Sequence, residues 1–261
     1  MDRTLRTDFV WVTEMTDPGF YWDKLTPVIE SGAPIVIYSK APIPEKEMNL
    51  IKNHTNIAIS ITITGWGGTW LEPGVKKPGI LVTFFNRLIK EMGTERVRLR
   101  LDPVIPTEEG FSRALSVSVK IRDEIEVITS LIQIYKDQEK VFSKLGVDMD
   151  LYTLKSGRAF YPKPEIAQQW LARLHQANPR FVGRVQFCGM PYDVPGAIHS
   201  GCVDEKLLKA IGITNFRRIA AGKQRPGCKC VISKKQVLSG TCEHGCLYCY
   251  AHKENLKKVK I

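Results

Sequence analysis

Ile57-Ala58-Ile59-Ser60-Ile61-Thr62-Ile63-Thr64 alternates without a break. A strand sends successive side chains to opposite faces, so Ile59, Ile61 and Ile63 share one face and Ser60, Thr62 and Thr64 the other. The run from Arg96 repeats the pattern with charge: Arg96, Arg98, Arg100 and Asp102 against Val97, Leu99 and Leu101. Outward from these two runs the chain continues in strand–helix units. Before them come apolar runs at Phe9–Thr13 and Ile35–Lys40, with helical stretches over Tyr21–Glu30 and Pro44–His54. After them, helical stretches at Pro78–Met92 and Thr107–Glu124 flank the charged run, and further runs follow at Val127–Ile134 and Phe181–Met190. Residues Asp137–Arg180 show little pattern beyond a helix over Pro164–Ala177.

Such alternation predicts an α/β fold with parallel strands and crossover helices. Rows of Thr and Arg facing an apolar helix layer would be too costly, so they line a central polar cavity. That favours a partial (β/α) TIM-like barrel over an open sheet, as one domain spanning 1–261 with the cysteine-rich region in 181–261. Its functional end is the C-terminal end of the strands, where Glu14, Lys40, Thr64, Asp102 and Cys188 fall.

The chain of 261 residues is 43% hydrophobic and 25% charged, which describes a globular protein with a sizeable core. It has no apolar run long enough to span a membrane and no apolar core of a secretory signal after Met1, so the expected address is cytoplasmic. In a reducing compartment its cysteines stay unpaired. A net charge of +11 exceeds what solubility requires and points to a polyanionic partner, with nucleic acid the usual case.

Seven cysteines divide three and four. Cys242, Cys246 and Cys249 lie at C-x3-C-x2-C with Tyr248 before the third; thiolates so close on one loop share zinc or an iron–sulfur cluster with one iron left open. Cys188, Cys202, Cys228 and Cys230 then make a full ligand set for a second cluster or a structural zinc. Cys228-Lys229-Cys230 fits a packed core poorly, because alternate residues flank a lysine.

The triad with its aromatic residue resembles the signature of the radical S-adenosylmethionine (SAM) superfamily. The chain is similar to spore photoproduct lyase in combining that triad with a partial barrel, and more closely to a bacterial family whose triad is C-terminal. The stretches that carry the closer likeness are Thr16-Asp17-Pro18-Gly19-Phe20-Tyr21, Ile63-Thr64-Gly65-Trp66-Gly67, Leu71-Glu72-Pro73, Arg100-Leu101-Asp102-Pro103-Val104, and Cys228 through Ala251. Most members of the superfamily carry the triad after the first strand, so this layout resembles a circular permutation, with Val231–Leu238 leading into the cluster loop and His252–Lys260 as the helix behind it.

The resemblance implies a [4Fe-4S] cluster on Cys242, Cys246 and Cys249 whose open iron is chelated by SAM, with Tyr248 against the adenine. It implies Glu14 for the SAM amino group, and Lys40, Thr62 and Thr64 for the carboxylate and nearby groups, with Arg98 or Arg100 as a further carboxylate partner. In place of the superfamily's Gly-Gly-Glu this chain has Thr13-Glu14-Met15-Thr16. The implied chemistry is cleavage of SAM to a 5′-deoxyadenosyl radical that takes a hydrogen atom from substrate, with flavodoxin or ferredoxin as electron donor. Cys202 is implied as an alternative hydrogen-atom donor, after the cysteine of spore photoproduct lyase.

Charge, the lyase likeness and Trp66, Trp70 and Tyr192 in loops make a nucleic-acid base the expected substrate, in DNA rather than RNA. Repair of a thymine lesion, or isomerisation or hypermodification of a thymine substituent, would each start by hydrogen abstraction. Two alternatives stay open: a radical enzyme acting on a small molecule or peptide, and a non-catalytic zinc-stabilised nucleic-acid-binding protein, in which His244 and His252 complete the ligands. A thioredoxin-like site is disfavoured by context, since Cys246-Leu247-Tyr248-Cys249 does not open a βαβ unit. Lys234-Lys235 and His244 are otherwise expected to be solvated.

Overall fold

The computed structural model describes residues 5–135, 138–220, 222–224, 227–249 and 251. After a short β1 (Leu5–Arg6), four strand–helix units follow: β2 (Phe9–Val12) with α1 (Trp22–Glu30), β3 (Ile35–Ser39) with α2 (Glu45–Lys52), β4 (Ile57–Thr62) with α3 (Pro78–Met92), and β5 (Val97–Val104) with α4 (Glu108–Ser118). Next come β6 (Glu126–Leu131), an insertion of β7 (Ile134–Tyr135), α5 (Glu139–Lys144), β8 (Leu154–Ser156) and β9 (Ala159–Tyr161), and then α6 (Pro164–Ala177). The chain finishes with β10 (Val185–Phe187), α7 (Glu205–Ala210), β11 (Ile213–Asn215) and β12 (Ser233–Gln236).

Seven of these strands form one sheet in the order β12-β2-β3-β4-β5-β6-β10, every pair parallel, curled into a half-barrel. The last strand therefore pairs with the first long one, and the loop after β12 opens at the same end as the loops after β2 to β6.

Local chemistry explains where the helices begin. Pro78 and Pro164 occupy the first turns of α3 and α6, where a missing N–H costs nothing. Thr107 caps α4 by accepting from the Gly110 N–H at 3.0 Å. Gly93, with φ of 82°, ends α3 in a conformation that a side chain would strain.

The two faces of the sheet bury different things. On the convex face Ile35, Ile37, Ile57, Ile59, Ile61, Val97, Leu99 and Val127 pack beneath Leu25, Leu81, Phe85, Leu88 and Trp170 of the helices in one large apolar cluster. On the concave face Val36, Tyr38, Ala58 and Ile128 meet Val203, Leu207, Leu208, Ile211 and Ile213, together with Cys188, Cys202, Cys228 and Cys230. The segment carrying α7 and β11 thus fills the deeper part of the half-barrel. The strands' C-terminal ends stay open.

The alternation of β4 and β5 and the helices Pro78–Met92 and Pro164–Ala177 match the sequence expectation, and three elements differ from it. The helix expected over Thr107–Glu124 stops at Ser118, where Asn178 Nδ2 donates to the Ser118 carbonyl at 2.8 Å. The run Val127–Ile134 breaks after Leu131, because Ile134 and Tyr135 leave the sheet to pair antiparallel with β9. The run Phe181–Met190 keeps strand geometry only at Val185–Phe187, flanked by Gly183 and Gly189 at positive φ. The helix expected over His252–Lys260 lies outside the described residues. Among the described residues no helix is long and apolar enough to cross a membrane.

Arg98 is the buried charge that ties the filling segment to the sheet. Its Nη2 donates to Asp204 Oδ1 at 2.6 Å and its Nη1 to the Cys202 carbonyl at 3.0 Å, while Gln186 Nε2 reaches Asp204 Oδ2 at 3.0 Å. Asp204 also caps α7 by accepting from the Leu207 N–H. Breaking a buried pair leaves one charge uncompensated, so Asp204→Ala is expected to lose about 3–5 kcal/mol of stability in urea denaturation. Asp204→Asn, which keeps the cap, should lose clearly less.

Candidate active site

The concave face opens into a cavity of about 240 Å³ lined by residues that follow β2 (Thr13, Glu14, Asp17), β3 (Lys40) and β12 (Cys242, His244, Cys246, Tyr248, Cys249), and by Tyr38, Thr62, Arg100, Asp102, Ser130 and Cys188. The three triad cysteines thus share one cavity with Glu14, Lys40, Thr62 and Arg100. Strand order brings them there, since β12 flanks β2.

Two carboxylates that the sequence reading passed over hold the triad loop in place. Asp17 accepts from the Gly19 N–H at 2.8 Å, the Lys40 N–H at 2.6 Å, Ser39 Oγ at 3.0 Å and His244 Nε2 at 2.8 Å. His244 is consequently buried rather than solvated, edge-on to Phe20 at 5.0 Å. Glu72 is 1% exposed and takes hydrogen bonds from Lys40 Nζ and Thr64 Oγ1, at 2.8 and 2.7 Å, and from the Tyr248 hydroxyl. Lys40 Nζ also lies 2.8 Å from the Tyr248 hydroxyl. Both acids sit in stretches that carry the family likeness, but beside Pro18-Gly19 and Pro73 they read locally as turn residues.

The backbone completes the anchorage. The Leu247 N–H donates to the Leu71 carbonyl and the Gly74 N–H to the His244 carbonyl, while Tyr21 and Thr16 hydroxyls donate to the Thr241 carbonyl. A Cβ on Gly74 would lie 2.6 Å from the Glu243 carbonyl oxygen and 2.8 Å from His244 Cα. Only glycine allows this approach.

Other sequence expectations are relocated. Arg98 does not reach the cavity: it shares a face with Arg100 but lies one pleat deeper, covered by Cys202 and Asp204. Thr64 does not line the cavity but holds Glu72. Glu14 lines it and is bound by Lys234 Nζ at 2.6 Å, so Lys234 is buried where a solvated face was expected. Trp66 is a core residue with the Arg113 guanidinium over its ring at 4.4 Å, and the Tyr192 hydroxyl is tied to the Pro162 carbonyl. Trp70 stays 41% exposed, with Lys144 Nζ 5.0 Å from its ring.

Arg100 lines the cavity with its charge held by Asp102 and its guanidinium over the Tyr38 ring at 5.1 Å. Its Nη1 is buried without a partner. A buried unpaired donor in a cavity wall is costly and fits an anionic ligand.

Burial pushes the Cys246 thiol up to about 12, with Glu72 and the neighbouring thiols adding to the effect and Lys40 opposing it. A metal bound there would displace that proton. Among the described residues no hydrogen bond joins the triad thiols to one another. The other four cysteines converge beside the same cavity: Cys202 and Cys230 sulfurs lie 3.4 Å apart, Cys188 lies within hydrogen-bonding reach of Cys202, and Cys228 of Cys230. Among the described residues no three His, Cys, Asp or Glu side chains are yet gathered as the ligands of one metal ion.

The Lys40–Glu72 pair sets a pH dependence. Burial works against both charges, yet Lys40 holds Glu72 below the usual carboxylate range and Glu72 holds Lys40 above the usual lysine range. Stability from Glu72 is present above the unfolded carboxylate value and lost as pH falls through the folded one; that from Lys40 is present below the unfolded lysine value and lost as pH rises through the folded one. The urea-stability difference between wild type and Glu72→Gln should therefore be flat from about pH 5 to neutrality and shrink in acid. Separately, Gly74→Ala should cost about 1–3 kcal/mol, whereas Gly79→Ala, with nothing within 4 Å, should be neutral or stabilising by up to about 1 kcal/mol in the same assay.

The chain belongs to the family described as a domain of unknown function (DUF1848), whose sequence profile matches residues 23–251. No curated protein matches it.

Proposed function

We propose that this member of the DUF1848 family is a radical SAM enzyme that acts on a nucleic-acid base. One observation carries the reading: Cys242, Cys246 and Cys249 line the same cavity, at the C-terminal ends of a curled parallel sheet, as Lys40 and the partnerless Nη1 of Arg100. The donor set fits the group. Three thiols free of mutual hydrogen bonds suit a [4Fe-4S] cluster, which holds its ligands apart and leaves one iron open, and a buried guanidinium suits the SAM carboxylate. When bound, such a cluster with SAM supplies one-electron cleavage of a carbon–sulfur bond and, through it, removal of hydrogen from an unactivated carbon.

What the chain itself does follows from the geometry. Cys242, Cys246 and Cys249 would hold the cluster; Asp17 and Glu72 fix the loop that carries them, through His244 and Tyr248. Arg100, oriented by Asp102, would receive the carboxylate, with Thr62 beside it. Lys40 is turned toward Glu72 and the Tyr248 hydroxyl, so its part is to set the Tyr248 ring rather than to meet the ligand directly. The sheet order supports a circularly permuted barrel, because β12 occupies the place ahead of β2 that a first strand would fill.

A cavity of about 240 Å³ falls below the usual span of ligand sites, roughly 300–1,000 Å³. A duplex cannot enter it, so a base would have to be extruded. The net charge of +11 and the exposed Trp70 beside Lys144 support a nucleic-acid partner, with thymine-type repair, isomerisation or hypermodification in DNA as the reaction class. A ferredoxin- or flavodoxin-type protein would supply the electron.

Protein reconstituted anaerobically with iron and sulfide should be brown and form 5′-deoxyadenosine and methionine from SAM under reduction, and Cys246→Ala should abolish both products. Arg100→Met should leave the colour intact and weaken SAM binding about 10- to 100-fold. Colourless wild-type protein carrying only zinc would overturn the reading. Binding to DNA should weaken steeply with salt in a gel-shift titration; salt-independent or absent binding would remove the nucleic-acid substrate.

A further inference from the structure

Cys188, Cys202, Cys228 and Cys230 are absorbed by no step of the proposed chemistry, yet they come together from three separate segments. All four are buried. We propose that they form a separate site for one divalent ion of zinc type, bound by four thiolates, which clamps the open side of the half-barrel.

Spacing carries the argument. Four thiolates about 2.3 Å from one tetrahedral ion stand about 3.8 Å apart. The Cys202 and Cys230 sulfurs are 3.4 Å apart, and Cys188 and Cys228 are each within hydrogen-bonding reach of one of that pair. A cubane cluster spreads its thiolates wider than hydrogen-bond contact, so the close approach of Cys202 and Cys230 suits a single ion. Among the described residues the sulfurs are not gathered round one point, so binding would draw Cys188 and Cys228 in toward the Cys202–Cys230 pair. Gly201 already lays the Cys202 loop against the next segment: a Cβ there would fall 2.3 Å from the Cys230 nitrogen.

Position supplies the role. Cys188 directly follows β10, and Cys228 and Cys230 shortly precede β12; these strands are the two edges of the seven-stranded sheet. Cys202 sits between them against Tyr38, whose hydroxyl is 3.5 Å from its sulfur. One ion would therefore join both edges across the concave face, where no strand pairing connects them. Binding releases the thiol protons and leaves a tetrathiolate centre of charge two minus. Lys234 and Arg100 put positive charge beside Cys202. The assignment takes Cys202 out of the role of hydrogen-atom donor, and it stands whether or not the triad holds a cluster.

The test uses the full chain with Cys242→Ala, Cys246→Ala and Cys249→Ala, so that only the quartet remains. Anaerobic titration with cobalt(II) should give one bound ion with the charge-transfer and d–d absorption of a tetrathiolate site, displaced by one equivalent of zinc(II). Adding Cys230→Ser should weaken cobalt binding at least about 10-fold. Should that variant fail to fold, Cys228→His, which keeps a ligand, should shift the spectrum to three sulfurs and one nitrogen. The proposal is overturned if the triad variant shows no such spectrum, if Cys230→Ser and Cys228→His both leave it unchanged, or if iron and sulfide build a cluster in the quartet instead.

Discussion

A curled parallel sheet has to place polar side chains on its concave face and then give each of them a partner. The whole molecule is arranged around that constraint. Alternation puts Ser60, Thr62, Arg98, Arg100 and Asp102 on the inside, where an unpaired charge would be prohibitive. The chain meets the demand in two layers. At depth, Asp204 and the Cys202 carbonyl hold both terminal nitrogens of Arg98, while its Nε has no partner. Nearer the mouth, Asp102 holds Arg100 but leaves one of its nitrogens for something else.

The triad loop depends on the same economy of partners. It is a short irregular segment whose Cys246, Leu247 and Tyr248 join the large apolar cluster. Its position is set by Asp17, Lys40, Glu72, the Leu71 carbonyl and the Thr16 and Tyr21 hydroxyls. Those contacts come from loops after β2, β3 and β4, which only a parallel sheet brings to one end. The Thr16–Tyr21 and Leu71–Pro73 stretches thus have a mechanical role: they are the seat of the cysteine loop.

The two sets of cysteines sit in different surroundings. The triad thiols line an open cavity and influence one another through charge. The quartet is packed sulfur to sulfur beneath it, with Cys188 on the boundary and Tyr38 and Glu14 touching both regions. Hydrogen bonding from Cys230 draws the Cys228 thiol down to about 6, while burial drives that of Cys246 up. Within the quartet the same sulfur contacts that lower Cys202 and Cys228 raise Cys230, which donates to them.

By itself the sequence determined the α/β alternation, most strand and helix positions, the polar lining and the division of the cysteines into three and four. Each of these is local: a period of two, a proline at a helix start, a spacing along the chain. It could not say that Arg98 lies below the cavity while Arg100 lies in it, because the two share a face and differ only in what covers them. Nor could it tell that Asp17 and Glu72 are the anchors, since a carboxylate in a turn looks the same whether solvated or buried. The convergence of Cys188, Cys202, Cys228 and Cys230, and the placing of β12 beside β2, were decided only in the tertiary structure, because strand order and loop contact join residues that the chain keeps far apart.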